Sequence, residues 1–404
     1  MGDFFRKFLC TVFLATFVQV TIVIAKKPRC FDQDRRCQEW LEKGDCGKSE
    51  VKTLCRKSCK RCAPNNDDFL YEVITRGIED THTVLYCMCL LLVLGILIGF
   101  IKLNRTCVIC RSKGNLKGKV VVITGATNGI GYETAFRLAL KGAKIIIGCS
   151  NLKKGLKIAK QLRDYTGQQY IEARKLDLAS LASVREFSKD ICEDFPCIDI
   201  LVNNAAIVSG IKREETIDKN ETTWQINYLS HFLLTKILLQ KIRLSAQGRI
   251  INVVCDSYKK ANFVLTDLQS NNKFSPIIAY NNTKLALLLF TQELAAHLNE
   301  KVVTVNAVNP GKVSTSLRRN IFPYNWRILR ILSGLYAYVF WKTPSEAVET
   351  ILYGCLEKNL EGVSGKLLEE CAEAVVPEYD KTIVKTLWDE SERLITPEKI
   401  ANFL

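Results

Sequence analysis

Hydrophobic positions fall along this chain in two unlike patterns. Near the N-terminus they form two uninterrupted runs without charge, Phe8 to Ala25 and Val84 to Ile101. From Lys117 onward they come in short blocks separated by mixed, helix-length stretches. The block Lys119–Thr124 is continuously apolar after its lysine, as strands buried on both faces are, and further strands read Ala143–Cys149, Ile198–Asn203, Arg249–Val254 and Val302–Val308. A further strand precedes Asp177. Strands alternating with helices predict an α/β fold, a Rossmann-like doubly wound parallel sheet. A later helix is announced by Thr343, Pro344 and Glu346, which supply an N-cap, a first-turn proline and a capping-box acid.

The run Val84–Ile101 is apolar all round, unlike the one-sided helix of a soluble core, and its 18 residues reach about 27 Å as a helix. Asp67, Asp68, Glu72, Glu79 and Asp80 precede it, whereas Lys102, Arg105, Arg111, Lys113, Lys117 and Lys119 follow. By the positive-inside rule it is a transmembrane helix whose C-terminal side is cytosolic. Residues 1–25 have a basic start at Arg6 and Lys7 and small residues at Val23 and Ala25, so they resemble a secretory signal, with an uncleaved signal anchor as the alternative. Residues 102–116 form a basic linker.

Cysteine usage agrees with two compartments. Six of the 17 cysteines, Cys30, Cys37, Cys46, Cys55, Cys59 and Cys62, crowd between the apolar runs, and the rest are scattered. A dense set belongs to an oxidising compartment, scattered thiols to a reducing one. A segment this small needs cross-links to hold a fold. Zinc is a rival reading, but no histidine lies nearby. The spacing, with the ending CRKSCKRC, resembles the ShK toxin fold over residues 30–62. That resemblance implies the pairings Cys30–Cys62, Cys37–Cys55 and Cys46–Cys59. Lys52 is followed by Thr53 rather than the tyrosine of channel blockers. Residues 26–66 are therefore expected to be a luminal interaction module whose partner is unknown.

The net charge of +15 invites a nucleic-acid reading. However, the basic residues are spread along the chain and are not interleaved with aromatics, which argues against nucleic acid and for an anionic lipid surface.

The chemistry is concentrated in a few short motifs. Lys119–Thr124 runs into Gly125-Ala-Thr127-Asn128-Gly129-Ile130-Gly131 and then a helix, the strand–turn–helix context of a dinucleotide site. Tyr280 and Lys284 are four residues apart, so a helix presents them on one face. A carbonyl reduced by hydride needs a proton donor, and a lysine beside a tyrosine lowers the phenol's pKa toward neutrality. TGATNGIG, Asp177, Asn203-Asn204-Ala205-Ala206, Tyr280-Asn-Asn-Thr-Lys284 and Asn309-Pro310-Gly311, in this order, resemble the short-chain dehydrogenase/reductases over residues 117–390. The stretches INYLSHFLLTKILL and LEGVSGKLLEECAE are similar to the retinol dehydrogenase branch.

The resemblance implies roles. Tyr280 is the general acid/base, and Lys284 also holds the nicotinamide ribose. Asn227 completes a proton relay through water. Gly125, Thr127, Asn128, Gly129, Ile130 and Gly131 cradle the pyrophosphate, Asp177 meets the adenine amine, and Asn204 belongs to the cofactor wall. Ser150 stands near the 2′-position, while Pro310, Gly311, Val313 and Thr315 approach the nicotinamide. Two positions depart from the pattern. Cys255 stands where the family has a serine, and Ala206 where it usually has glycine. A thiol is a weaker donor than a hydroxyl; Ser257 is the alternative donor if the loop is displaced. No acid ends the second strand, Gly148-Cys149-Ser150-Asn151, and Lys153 and Lys154 follow, which favours NADP(H) over NAD(H).

The expected function is a membrane-anchored oxidoreductase, in the endoplasmic reticulum, interconverting a lipophilic alcohol and its carbonyl, retinoid- or steroid-like. The alternative is a catalytically weak or silent cofactor-binding sensor, because of Cys255. Two further expectations concern surfaces. The sequons Asn220-Glu-Thr222 and Asn281-Asn-Thr283 would be exposed in a luminal domain. Ile321 to Trp341 is apolar but interrupted by Arg327 and Arg330, which suits either an interfacial segment or a substrate lid.

Overall fold

The computed structural model describes residues 36–43, 84–101, 108–110, 112, 114–298, 302–313, 334 and 336–396. The first hydrophobic run, five of the six crowded cysteines, Thr315 and most of Ile321–Trp341 lie outside them. The chain divides into two units, residues 1–100 and 101–404.

In the first unit, α1 (Cys37–Glu42) opens on Cys37, which is buried and disulfide-bonded. The helix α2 (Val84–Ile101) has 18 residues and is long and apolar enough to cross a membrane. Its side chains are almost all exposed, as an all-apolar helix requires if it is to meet lipid rather than a protein core.

The second unit is built on one sheet. Its strands are β1 (Val120–Thr124), β2 (Lys144–Cys149), β3 (Ile171–Lys175), β4 (Ile200–Asn203), β5 (Gly248–Val253), β6 (Val303–Asn309), β7 (Leu367–Glu369) and β8 (Ala372–Ala374). They lie in the order β3-β2-β1-β4-β5-β6-β7-β8, parallel throughout except for the β7–β8 hairpin. The apolar blocks thus become inner strands, and every residue of β1, β4, β5 and β6 is buried. The order reverses between β1 and β4, and a crevice at the carboxyl ends of strands opens at such a switch point.

Helices cover both faces. On one lie α3 (Gly129–Leu140), α4 (Leu152–Thr166) and α8 (Pro344–Leu356), whose apolar stripes pack as a cluster with Ala135, Leu138, Leu162, Val348 and Ile351. On the other lie α5 (Leu181–Asp194), α6 (Ser230–Ile242), α7 (Pro276–Leu298) and α9 (Lys381–Ile395). This second core is aromatic: the Phe232 ring stands 5.0 Å from that of Phe290 and 5.1 Å from that of Trp388. Truncating a ring so enclosed costs roughly 3–5 kcal/mol. Thr343 caps α8 with the expected box: its hydroxyl accepts from Glu346 N, and Glu346 accepts from Thr343 N at 2.6 Å.

Three sequence expectations are revised. The linker is partly structured, because Leu116 is apolar enough to bury and Ser112 donates to Glu357 at 3.0 Å. The packed region runs past residue 390, since α9 continues to Ile395, whose carbonyl accepts from Arg185. And two scattered cysteines are not free: Cys110 is bonded to Cys371, 261 residues later, with Cα atoms 5.8 Å apart. Cys371 and Glu370 both have positive φ (64° and 46°), the backbone a two-residue hairpin turn demands.

Candidate active site

A cleft of about 1100 Å³ opens at the carboxyl ends of the central strands. The glycine turn forms one wall. Asn128 is the N-cap of α3, and its Oδ1 accepts from Gly129 N at 2.8 Å. Gly125 has φ 70°, and a Cβ there would stand 2.8 Å from Ala205 Cα. At Gly131 a Cβ would meet Asn204 Nδ2 at 2.4 Å and the Gly125 carbonyl oxygen at 2.5 Å. The turn is therefore pressed against β4's end, and only glycine permits that approach. Asn204 Nδ2 donates to the Thr124 carbonyl at 3.0 Å, and the Asn204 and Ala205 amides donate to Thr124 Oγ1 at 2.9 and 3.0 Å. The N-terminal turn of α3 faces the cleft, which suits a diphosphate.

Where β2 ends, Ser150, Asn151 and Lys154 line the cleft, with Asp177 beyond them from the end of β3. Asn151 caps α4 through Lys154 N at 2.9 Å, and Lys175 Nζ donates to the Ser150 carbonyl at 2.5 Å. This end of the cleft thus holds a hydroxyl, the Lys154 cation and a helix N-terminus, with Lys175 behind Ser150. No carboxylate stands at the end of β2. Asp177 turns one carboxylate oxygen to Ala179 N at 3.0 Å.

At the other end, α7 brings Tyr280 and Lys284 to the same wall, one helical turn apart. Cys255 follows β5 and sets its sulfur 3.5 Å from Tyr280 Oη. Lys284 Nζ donates to the Val253 carbonyl at 3.0 Å and lies 5.6 Å from the centre of the Tyr280 ring. The electrostatics differ from the sequence expectation. Burial holds the Tyr280 phenol well above its ordinary pKa, with the neighbouring thiol adding to the rise. Burial likewise lowers Lys284. Desolvation disfavours each charged form and is the largest cause at both groups. Tyr280 therefore keeps its proton at neutral pH.

Asn309-Pro310-Gly311 is fastened on two sides. Asn309 Nδ2 donates to Glu369 at 2.8 Å and to Asp256 at 3.1 Å, and its Oδ1 accepts from Gly311 N at 2.9 Å. Gly311 takes φ 83°, and Val313 bridges to Lys342. Pro310, Gly311 and Val313 all reach the cleft.

Of the residues named from sequence, Gly125, Thr127, Asn128, Gly129, Ile130, Gly131, Ser150, Asp177, Asn204, Cys255, Tyr280, Lys284, Pro310, Gly311 and Val313 line this one cleft. Asn227 does not. It is fully buried behind the wall, its Oδ1 accepting from Ile207 N and its Nδ2 donating to the Ile207 carbonyl, both at 2.8 Å. A third bond runs to Thr283 Oγ1 at 3.3 Å. With its amide so engaged, Asn227 braces the wall. Sequence reasoning missed Lys259 and Lys260, which also face the cleft, because no periodic pattern marks a short turn; Trp341, the end of the segment read as interfacial or lid, lines it too. Both sequons are buried: Asn220 is 3% and Asn281 5% exposed. Neither presents an acceptor on either side of a membrane, so they do not report topology.

Residues 119–325 match the short chain dehydrogenase family. Among curated proteins, retinol dehydrogenase 13 of Mus musculus is 38% identical over 289 residues, which is 71% of this chain and 86% of that protein. Retinol dehydrogenase 11 of Homo sapiens is 37% identical over 285 residues, 70% of this chain and 87% of its own. Among solved structures, a protein from Mycobacterium paratuberculosis aligns with a TM-score of 0.54 at 26% identity, over 70% of this chain and 96% of that one. A short chain dehydrogenase from Shigella flexneri 2A complexed with NADP shares the fold, with a TM-score of 0.52 at 22% identity over 64% of this chain and 100% of that one. A parallel sheet with its glycine turn, and a tyrosine and lysine closing one cleft, carry the same conclusion as these relatives: the chain belongs to the short-chain dehydrogenase family and is an NAD(P)-dependent oxidoreductase related to the retinol dehydrogenases.

Proposed function

We propose that this protein is a membrane-anchored oxidoreductase that interconverts a lipophilic alcohol and its carbonyl, of retinoid or steroid type, with NADP(H) preferred. The observation that carries the reading is the convergence of Tyr280, Lys284 and Cys255 on the cleft that the glycine turn enters. A bound nicotinamide would supply or accept the hydride. Tyr280 gives its proton to the carbonyl oxygen in reduction and takes it back in oxidation. Lys284, buried beneath the phenol, holds it in place and keeps one donor on Val253. Cys255 stands where it can donate to the same oxygen.

NADP(H) is favoured by the cationic, acid-free end of β2, where Ser150 and Lys154 stand beside the N-terminus of α4. An apolar substrate is favoured by Ile207, Ile226, Val254 and Trp341 along the cleft. Near its rim Tyr336, Tyr338 and Phe340 are exposed while Ala337 and Val339 are buried, which supports a greasy entrance. The helix α2 is the anchor in this reading. The charge asymmetry around it supports a cytosolic side for residues from 102 onward, and the reading takes the endoplasmic reticulum as the membrane.

The test is Tyr280→Phe against wild type, on a panel of lipophilic aldehydes and ketones with NADPH and NADH. Turnover should fall by about 10²–10⁴-fold while NADPH affinity holds, because only the transferable proton is removed. Wild-type turnover in the variant ends this mechanism. A second reading has its own observation: a sulfur at 3.5 Å is the phenol's partner where the family has a hydroxyl. If wild type binds NADPH and turns over nothing on the panel, the chain is a cofactor-binding sensor.

A further inference from the structure

We infer that His231 is a positioning residue that couples the glycine turn to the Asn227 brace behind Tyr280, an inference that rests on the oxidoreductase reading of this cleft. His231 opens the first turn of α6 and its ring is wholly buried. Nε2 lies 2.9 Å from Thr124 Oγ1, and Nδ1 lies 3.0 Å from the Asn227 carbonyl oxygen.

Counting donors assigns the tautomer. The two lone pairs of Thr124 Oγ1 are taken by the amides of Asn204 and Ala205. Its single proton has one good acceptor, His231 Nε2, since the Val202 carbonyl is 3.5 Å away. Nε2 must then be bare, and Nδ1 carries the proton that the Asn227 carbonyl accepts. An imidazolium would point a second N–H at a hydroxyl with no lone pair to offer, so the ring is held neutral by its partners as well as by burial. The result is one directed chain of hydrogen bonds, from the Asn204 and Ala205 amides through Thr124 and His231 to Asn227.

Its two ends belong to the two halves of the site. Thr124 is the residue before Gly125, and its carbonyl also holds Asn204, against which Gly131 packs. Asn227 sits in the π-helical turn Gln225–Leu229 and grips Ile207 and Thr283, which accepts its amide three residues after Tyr280. An apolar side chain at 231 would fill the space but remove the side-chain bond on the Asn227 carbonyl and leave the Thr124 proton only the Val202 carbonyl at 3.5 Å, so the two halves could shift separately.

The experiment uses the full-length protein in detergent, with NADPH as probe. Dissociation constants come from NADPH fluorescence, and kcat and KM from a carbonyl that wild type reduces. His231→Leu should raise the NADPH dissociation constant about tenfold and lower kcat by about 10–100-fold. His231→Asn keeps an N–H near the Asn227 carbonyl but does not reach Thr124. It should therefore lose NADPH affinity with a much smaller fall in kcat. Thr124→Val should weaken NADPH and add little on top of His231→Asn, whereas Thr124→Ser should restore binding. Circular dichroism reports whether each variant folds; if His231→Leu does not, the Thr124/His231→Asn cycle decides alone. Additive effects in that cycle, or a folded His231→Leu with wild-type constants, overturn the coupling. A wild type that binds no NADPH overturns the cleft reading itself, and the coupling with it.

Discussion

At the dinucleotide end of the cleft the parts close on one another: Gly125 and Gly131 leave no room for a Cβ, and Thr124 and Asn204 meet through bonds of 2.9 and 3.0 Å. At the proton-donating end the phenol of Tyr280 has a sulfur at 3.5 Å, and Lys284 gives one bond to a carbonyl. The first end is set by steric fit and is complete without a ligand. The second is set by desolvation, which holds Tyr280 protonated and disfavours the charge on Lys284. Rigid packing suits the recognition of a fixed diphosphate shape, whereas desolvation at the other end keeps the phenol in its protonated form.

The comparison is broken most severely by changing the weak partner. Cys255→Ser gives the phenol a hydroxyl, the stronger donor, and should raise kcat by about 10–10³-fold with little change in NADPH affinity. Stopped-flow reduction of a carbonyl from the panel measures it, and an unchanged kcat would show that Cys255 does not touch the reacting oxygen.

Acid should strike next, through the histidine behind both ends. Burial lowers His231 from 6.5 to about 4. The unfolded chain therefore binds more protons than the folded one between those values, so stability rises with pH there and is lost as pH falls from 6.5 toward 4. The loss amounts to roughly 3 kcal/mol. In urea melts across that range wild type should lose its margin over His231→Asn as pH falls below 6.5. Parallel curves would mean that other groups set the acid limb.

A smaller effect sharpens the steric end. Gly131→Ala pushes a methyl against Asn204 and the Gly125 carbonyl, at a cost of about 1–3 kcal/mol. NADPH affinity should fall accordingly, while kcat at saturation stays near wild type. A fall in kcat at saturating NADPH would mean that the two ends are not separable by substitution.

The least energetic test concerns compartment. A cytosolic domain keeps thiols reduced, yet Cys110 and Cys371 are bonded in the folded chain. The cytosolic reading expects both to be alkylated when a thiol reagent is added to intact cells, and to pair only after lysis. Protection from alkylation in cells would put the domain on the oxidising side of the membrane. That would overturn the placement drawn from Lys102, Arg105 and Arg111.

Much of the fold was legible in the chain itself, for local reasons. A continuous apolar block such as Val120–Ile123 reads as a strand covered on both faces, and its neighbours' turn signals set its length. A glycine turn between strand and helix, a Thr-Pro-x-Glu start to α8, and a tyrosine four residues before a lysine follow from backbone geometry over a few positions. What those residues do to one another was not legible, because it depends on segments far apart in sequence. Tertiary packing decided that Tyr280 is shielded enough for burial to raise its pKa well above the ordinary value. It also decided that the Asn227 amide is taken by Ile207, that His231 bridges Thr124 and Asn227, and that both sequons are covered. Hydrophobic periodicity and turn chemistry are properties of neighbours along the chain. Desolvation and the sharing of lone pairs are properties of neighbours in space, and only the assembled sheet and its helices define those.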